Sequence, residues 1–244
     1  MKHERPVLFV TGAARRIGAQ IVRQFHHHGH DIVLHYHTSA AAAQGLQQQL
    51  CQYRPGSVQL LQADLTETDQ LPALAARVLA CFGRVDTLIN NASSFYPTPL
   101  TLASLTHWDD LVDSNLRAAY ILATALSASL QQQRGCIINI VDIHADSGLK
   151  GYPIYSIAKA GLKMMTHALA RELAPEVRVN GIAPGAILWP EDEVNVNDQQ
   201  TILADIALGR IGCPEDIADA AWFLYNASYI TGQVIKVDGG RSLG

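Results

Sequence analysis

Apolar and polar positions alternate in blocks along the chain. Short β-rich apolar runs occur at Val7–Val10, Asp31–His35, Val58–Gln62, Asp86–Asn90, Cys136–Val141, Val177–Ile182 and Gln233–Val237. Between them lie stretches with the apolar period of helices, at Gly18–His28, Leu71–Cys81, Trp108–Gln133, Tyr152–Leu173 and Pro214–Tyr225. Ala40 to Gln52, rich in Ala and Gln, reads as a solvent-facing helix. This alternation predicts βαβ units and a parallel sheet with helices on both faces, a doubly wound α/β architecture. The runs above supply strands for one seven-stranded sheet in a single domain over residues 1–244. The segment Pro184 to Gln200 fits neither period. It is rich in Pro, Asn and Asp, follows a strand end and is long for a connection. Ligands of open α/β sheets bind beyond the strand carboxyl ends, which makes 184–200 the expected substrate loop.

Composition narrows the class. With 244 residues, 48% of them hydrophobic, the chain can bury one sizeable core. A net charge of −4 draws it to neither nucleic acid nor anionic membranes. No apolar run approaches the roughly 18 residues of a membrane span, and no signal-peptide pattern precedes the first strand. The four cysteines form no CxxC pair, which implies a reduced cytoplasmic protein rather than a disulfide framework or zinc site. Of 10 histidines, six lie between His26 and His37. The run His26–His30 reads as cations closing the first helix at its negative end, with Gly29 at the C′ position, and not as a metal site.

Candidate chemistry begins after the fifth apolar run. Asp142 stands at its end, and Tyr155 and Lys159 stand one helical turn apart at the start of the next helix. Tyrosine is a poor acid or base near neutrality, with a reference pKa of about 10. A neighbouring ammonium favours the phenolate, so Lys159 is expected to bring Tyr155 into range for proton transfer. At the first strand end, Thr11-Gly12-Ala13-Ala14-Arg15-Arg16-Ile17-Gly18 forms a glycine-bearing turn into a helix, the arrangement that cradles a pyrophosphate. Where an NAD site places a carboxylate, after the second strand, this chain has His35, Tyr36, His37, Thr38 and Ser39. With Arg16 nearby, a 2′-phosphate meets donors and positive charge, so NADPH is the expected cofactor.

These motifs resemble the short-chain dehydrogenase/reductase superfamily, a Rossmann-type fold, whose YxxxK motif is matched by Tyr155 to Lys159 and whose TGxxxGxG turn is matched with Arg16 in place of the middle glycine. The resemblance implies that Asp64 and Leu65 meet the adenine. Asn91, Ala92 and Ser93 form the NNAG element, with Ser93 replacing its last glycine. Asn115 joins the proton relay, Pro184 and Gly185 cap the nicotinamide, and Lys159 holds its ribose. Most of the superfamily keeps serine where Asp142 stands. An ionised carboxylate repels a forming alkoxide but suits a substrate with nitrogen donors. Asn91 to Leu100, His35-Tyr36-His37, Arg16 and Asp142 together resemble the pteridine reductases. That resemblance implies a pterin between the nicotinamide and Phe95, with Ser93, Asp142 and Tyr155 around it, dihydrofolate as a secondary substrate, and a homotetramer. Thr38 departs from the arginine of the parasite members, which removes one charge from the 2′-phosphate site. The alternatives are a carbonyl reductase of the 3-oxoacyl type, which predicts serine at 142, and a non-catalytic NADPH sensor, which predicts loss of Tyr155 or Lys159.

Overall fold

The computed structural model describes residues 5–188 and 196–243, with the side chains of 196–198 excepted. Among these, seven parallel strands form one sheet in the order β3-β2-β1-β4-β5-β6-β7. They are β1 Val7–Val10, β2 Asp31–Tyr36, β3 Val58–Gln62, β4 Thr87–Asn90, β5 Cys136–Ile140, β6 Arg178–Pro184 and β7 Val234–Val237. Each matches an apolar run to within two residues at either end. The helices are α1 Arg16–His27, α2 Ala40–Tyr53, α3 Leu71–Phe82, α4 Leu105–Val112, α5 Ala118–Gln132, the short α6 His144–Ser147, α7 Pro153–Glu172, α8 Val196–Ala204 and α9 Pro214–Asn226.

Every residue of β1, β4 and β5 is buried, because both sheet faces are covered. Alternate side chains go to opposite cores. Leu8, Val10, Ile32, Leu34 and Ile138 pack with α1, α2 and α9, while Val7, Phe9, Val33, Leu88 and Ile137 pack with α3 and α5. The α2 helix is therefore not wholly solvent-facing: Ala43, Leu46 and Leu50 form a buried stripe.

Trp108 to Gln133 is not one α-helix. A π-turn, Asp113–Arg117, separates α4 from α5. Ser114 Oγ donates to the Asp110 carbonyl (2.6 Å) and Asn115 Nδ2 to that of Leu111 (2.9 Å). Both side chains compete for carbonyls of the helical ladder, which widens it here. The 184–200 segment also divides: Pro184 ends β6, residues 189–195 lie outside the described residues, and the chain is helical from Val196.

A buried polar seam fixes the catalytic half of the sheet. Asn90 and Asn139 are paired by register, and Asn90 Nδ2 donates to Asn139 Oδ1 (2.8 Å). Asn139 Nδ2 donates to Thr166 Oγ1 on α7 (2.9 Å), which itself donates to the Leu162 carbonyl (2.9 Å). A slip of α7 along β5 would strand these groups unpaired at about 1–3 kcal/mol each.

Two members of the histidine run, His26 and His30, are not the expected cations. His26 and His30 are buried, and burial is the main cause that lowers each pKa from 6.5 to about 4. His26 Nε2 lies 2.7 Å from Ser57 Oγ, and His30 meets Phe25, Trp222 and Tyr225 edge-on. Gly29 does hold the positive φ (92°) of a C′ residue. No cluster of potential metal ligands occurs among the described residues.

Because the folded pKa values are depressed, the unfolded chain binds more protons between pH about 6.5 and 4. Stability is complete above the upper value and falls as pH drops towards the lower one. His30→Phe keeps the ring contacts and removes one such proton. Urea midpoints at pH 7.5 and 5 should lie closer together in this variant than in the parent. An equal spacing would exclude His30 from the acid response.

Candidate active site

The glycine turn is pinned from the neighbouring strand. Thr11 Oγ1 accepts the backbone N–H groups of Asn91 and Ala92, both at 3.0 Å, and Asn91 Nδ2 donates to the carbonyls of Thr11 and Gly12, both at 2.9 Å. Gly12 has φ 61°, and a Cβ there would lie 2.9 Å from Ala92 Cα. At Gly18 a Cβ would lie 2.5 Å from the Gly12 carbonyl oxygen. Glycine is thus required at both positions. The first turn of α1 holds no acidic residue, and Arg15 at its N-cap makes no side-chain cap. The helix therefore presents uncapped N–H groups and its positive dipole end to an anion.

A cleft of about 470 Å³ runs over this turn, lined by Gly12, Arg15, Arg16, Ile17, Gly18, the run from His35 to Ser39, Asp64, Leu65 and the run from Asn91 to Ser94. Most of the residues expected to bind the dinucleotide thus lie along one cavity. Arg15, which sequence reasoning passed over, joins Arg16 and His37 there. Asp64 is turned to its own loop, accepting from Thr66 N (2.9 Å) and Oγ1 (2.7 Å), with His37 Nε2 at 3.5 Å; these contacts hold its pKa below the usual range against its desolvation. The uncapped N–H donors, the two arginines and the glycine cradle fit the pyrophosphate of a dinucleotide. Arg16 has φ 50°, a strained left-handed conformation at the position where the superfamily pattern has glycine.

The catalytic candidates converge beyond β5. Asp142 Oδ1 accepts the backbone N–H of His144 (2.8 Å), and Oδ2 accepts the Tyr155 hydroxyl (2.8 Å). Tyr155 and Lys159 are 5% and 2% exposed on the inner face of α7. Lys159 Nζ donates to the Ile140 carbonyl (2.9 Å) and stands 5.7 Å from the Tyr155 ring centroid. This corrects the expected electrostatics. The Tyr155 pKa is raised, by burial first and then by the Asp142 carboxylate that accepts its proton. Burial also brings the lysine's own pKa down to about 8, against the opposing pull of Asp142. The Tyr155 hydroxyl is thus held protonated against Asp142.

Ser93 Oγ donates to Asn115 Oδ1 (2.6 Å), and Asn115 Nδ2 donates to the Ser94 carbonyl (2.9 Å). Buried Asn115 therefore braces the loop after β4, and its side chain makes no bond to Lys159. Phe95 is half exposed, stacked on Tyr152 (centroids 4.6 Å, planes 8° apart) and edge-on to Tyr155 (4.8 Å). Tyr152 went unread in the sequence, although one turn before Tyr155 it shares the helix face. Pro184 and Gly185 join the β5 and β7 ends: the Pro184 carbonyl accepts from Ile143 N (3.3 Å), and Gly185 N donates to Val237 O (3.0 Å).

A family profile described as "Enoyl-(Acyl carrier protein) reductase" matches residues 12–242. The chain belongs to the short-chain dehydrogenase/reductase superfamily. It is an oxidoreductase of the class that uses NAD(P)H. Pteridine reductase 1 of Leishmania tarentolae is 38% identical over 98% of this chain and 96% of that protein. The 3-oxoacyl-[acyl-carrier-protein] reductases of Synechocystis sp. and Staphylococcus aureus (strain Mu50) are 36% and 34% identical, over 96% and 95% of this chain and 96% of each relative. No helix among the described residues is long and apolar enough to cross a membrane.

The strain at Arg16 is measurable. Arg16→Gly should stabilise the cofactor-free protein by about 0.5–1 kcal/mol, the left-handed penalty less the extra entropy of glycine. A lower thermal midpoint would mean that the arginine's contacts outweigh its strain.

Proposed function

We propose that this oxidoreductase is an NADPH-dependent pteridine reductase that saturates C=N bonds in the pyrazine ring of oxidised or dihydro pterins, with dihydrofolate as a further substrate. The observation that carries the reading is the Asp142 carboxylate, hydrogen-bonded to the Tyr155 hydroxyl beneath the half-exposed Phe95 ring. NADPH would be held by the α1 N-terminus, Arg15, Arg16 and the His37–Ser39 lip, and supplies a hydride when bound. Phe95, backed by Tyr152, offers a flat apolar face on which a fused heteroaromatic ring stacks, worth about 0.5–1.5 kcal/mol beyond burial. Asp142 accepts hydrogen bonds from the ring's N–H donors. Tyr155 passes its hydroxyl proton to the ring nitrogen next to the reduced carbon. That nitrogen becomes strongly basic as the carbon accepts hydride, so a weakly acidic phenol suffices. An alkoxide forming at the same place would meet the carboxylate, which weighs against a carbonyl substrate. Lys159 remains cationic near neutrality and offsets the charge left on the Asp142–Tyr155 pair.

NADPH is favoured over NADH because no carboxylate follows β2 and two arginines rim the cleft; Arg16→Gly should narrow the kcat/KM ratio between them. The four unpaired cysteines support a reducing, cytoplasmic setting. Apolar side chains left exposed on α4, α5 and α7, namely Leu105, Tyr120, Ile157 and Met164, support burial of these helices in a homotetramer. Light scattering should give a mass near four times the 26.5 kDa protomer, and a protomer mass would refute the assembly.

NADPH oxidation should be fast with a dihydropterin and near the buffer blank with an acetoacetyl thioester; the reverse ranking assigns a carbonyl reductase. Asp142→Ser should cut pterin kcat/KM by about tenfold or more, roughly 1.4 kcal/mol of transition-state stabilisation, while NADPH affinity is retained. Unchanged pterin turnover in this variant would reduce Asp142 to a strand-end residue.

A further inference from the structure

The peptide at Gly12 is held on its second side by a histidine. His35, in β2, is 1% exposed. The Gly12 N–H donates to its Nδ1 at 3.1 Å, its Nε2 lies 3.1 Å from the Ala63 carbonyl oxygen, and its own carbonyl accepts the Ala13 N–H at 2.8 Å. The partners dictate the tautomer. A backbone N–H can only donate, so Nδ1 carries the lone pair; a carbonyl can only accept, so Nε2 carries the hydrogen. Burial keeps the ring neutral, with a pKa lowered to about 4. On the far side of the same residue, Asn91 Nδ2 holds the Gly12 carbonyl.

Glycine adopts either sign of φ with little preference, so Gly12 does not set the direction of its own peptides. Two side chains do: Asn91 from the β4 end and His35 from β2. A reversed Thr11–Gly12 peptide would set the Thr11 carbonyl oxygen against the His35 Nδ1 lone pair and lose its bond from Asn91. The imidazole also ties this turn to Ala63, which immediately precedes the Asp64–Leu65 lip on the opposite side of the cleft. We infer that His35 is a positioning residue for the dinucleotide: its neutral ring fixes the Gly12 peptide and the width of the cleft without itself reaching the reacting atoms. The inference rests on the NADPH reading above and adds to it a residue that acts through the turn.

Three substitutions separate the two contacts. In His35→Asn the side-chain oxygen can occupy the Nδ1 position and accept from Gly12, while the reach to Ala63 is lost. In His35→Gln the longer amide reaches Ala63 and leaves the Gly12 N–H unpaired. His35→Leu loses both. Fluorescence titration should show the NADPH Kd rising by about tenfold or more for Gln and Leu, as expected for an unpaired buried donor, and by less than about threefold for Asn. The NADPH KM should follow the Kd, with kcat at saturating NADPH and the pterin KM far less affected. Two results overturn the inference: thermal midpoints that fall in all three while the Kd stays put, which marks a purely structural histidine, or an equal loss of affinity in all three, which removes the Gly12 contact as the cause. A parent that binds NADPH alongside unaffected variants overturns this inference alone; a parent that binds none overturns the cofactor reading with it.

Discussion

The site depends on the order in which the strands enter the sheet. After β1 the chain places β2 and β3 on one side, then crosses to place β4 and the later strands on the other. Helices following β1 and β4 must leave in opposite directions, so a crevice stays open above that pair. Every group in the candidate site descends from this. Thr11 and Gly12 leave β1, His35 sits in β2, Asn91 to Phe95 leave β4, and Asp142 leaves β5. Backbone groups at these ends have no strand left to pair with. Side chains from adjacent ends take over: Thr11 Oγ1 for the β4 end, Asn91 and His35 for the β1 end. The same bonds that satisfy the strand ends give the crevice its shape.

Beyond β5 the deciding term is charge in a dry place. Lys159 is buried and donates to the Ile140 carbonyl, and its counter-charge is Asp142. A cation so buried loses hydration that one carbonyl does not restore, hence its lowered pKa. Asp142 offsets part of that and at the same time stiffens the grip on the Tyr155 proton. A serine in this slot would do neither. The carboxylate thus adds to a rise in the Tyr155 pKa that burial already causes. In the proposed reaction a ring nitrogen that has just lost its π bond would take that proton.

The strands and the single domain were legible because fully covered parallel strands are continuous apolar runs, with little else in the sequence to imitate them. The Tyr155–Lys159 spacing and the glycine turn were legible for a similar reason, since backbone geometry alone puts them on one face or in one turn. What could not be read arises between elements. Whether Trp108 to Gln133 is one helix depends on Ser114 and Asn115 capturing carbonyls of the preceding turn. His26 and His30 look cationic until Ser57 pairs with the one and Phe25, Trp222 and Tyr225 close around the other. The rise in the Tyr155 pKa could not be read because it comes from burial and from contact with Asp142 on another element. Tyr152 and Arg15 were missed because each matters only through a neighbour, Phe95 in one case and the shared cleft in the other.

Overall identity separates the two enzyme classes poorly: 38% to a pteridine reductase, against 36% and 34% to 3-oxoacyl reductases. That is expected when most positions serve the sheet, the two cores and the dinucleotide turn, which both classes share. Identity weighs Val33 and Asp142 alike, while on the proposed reading the substrate meets only the latter. The discriminating information sits in a few side chains at the carboxyl ends of β4 and β5. There the carboxylate is fully engaged, by the His144 amide on one oxygen and by the Tyr155 hydroxyl on the other. A charge placed by accident at a strand end would be free to turn towards solvent. This one is locked against the Tyr155 hydroxyl. On the proposed reading, a carboxylate held there favours a nitrogen heterocycle over a ketone.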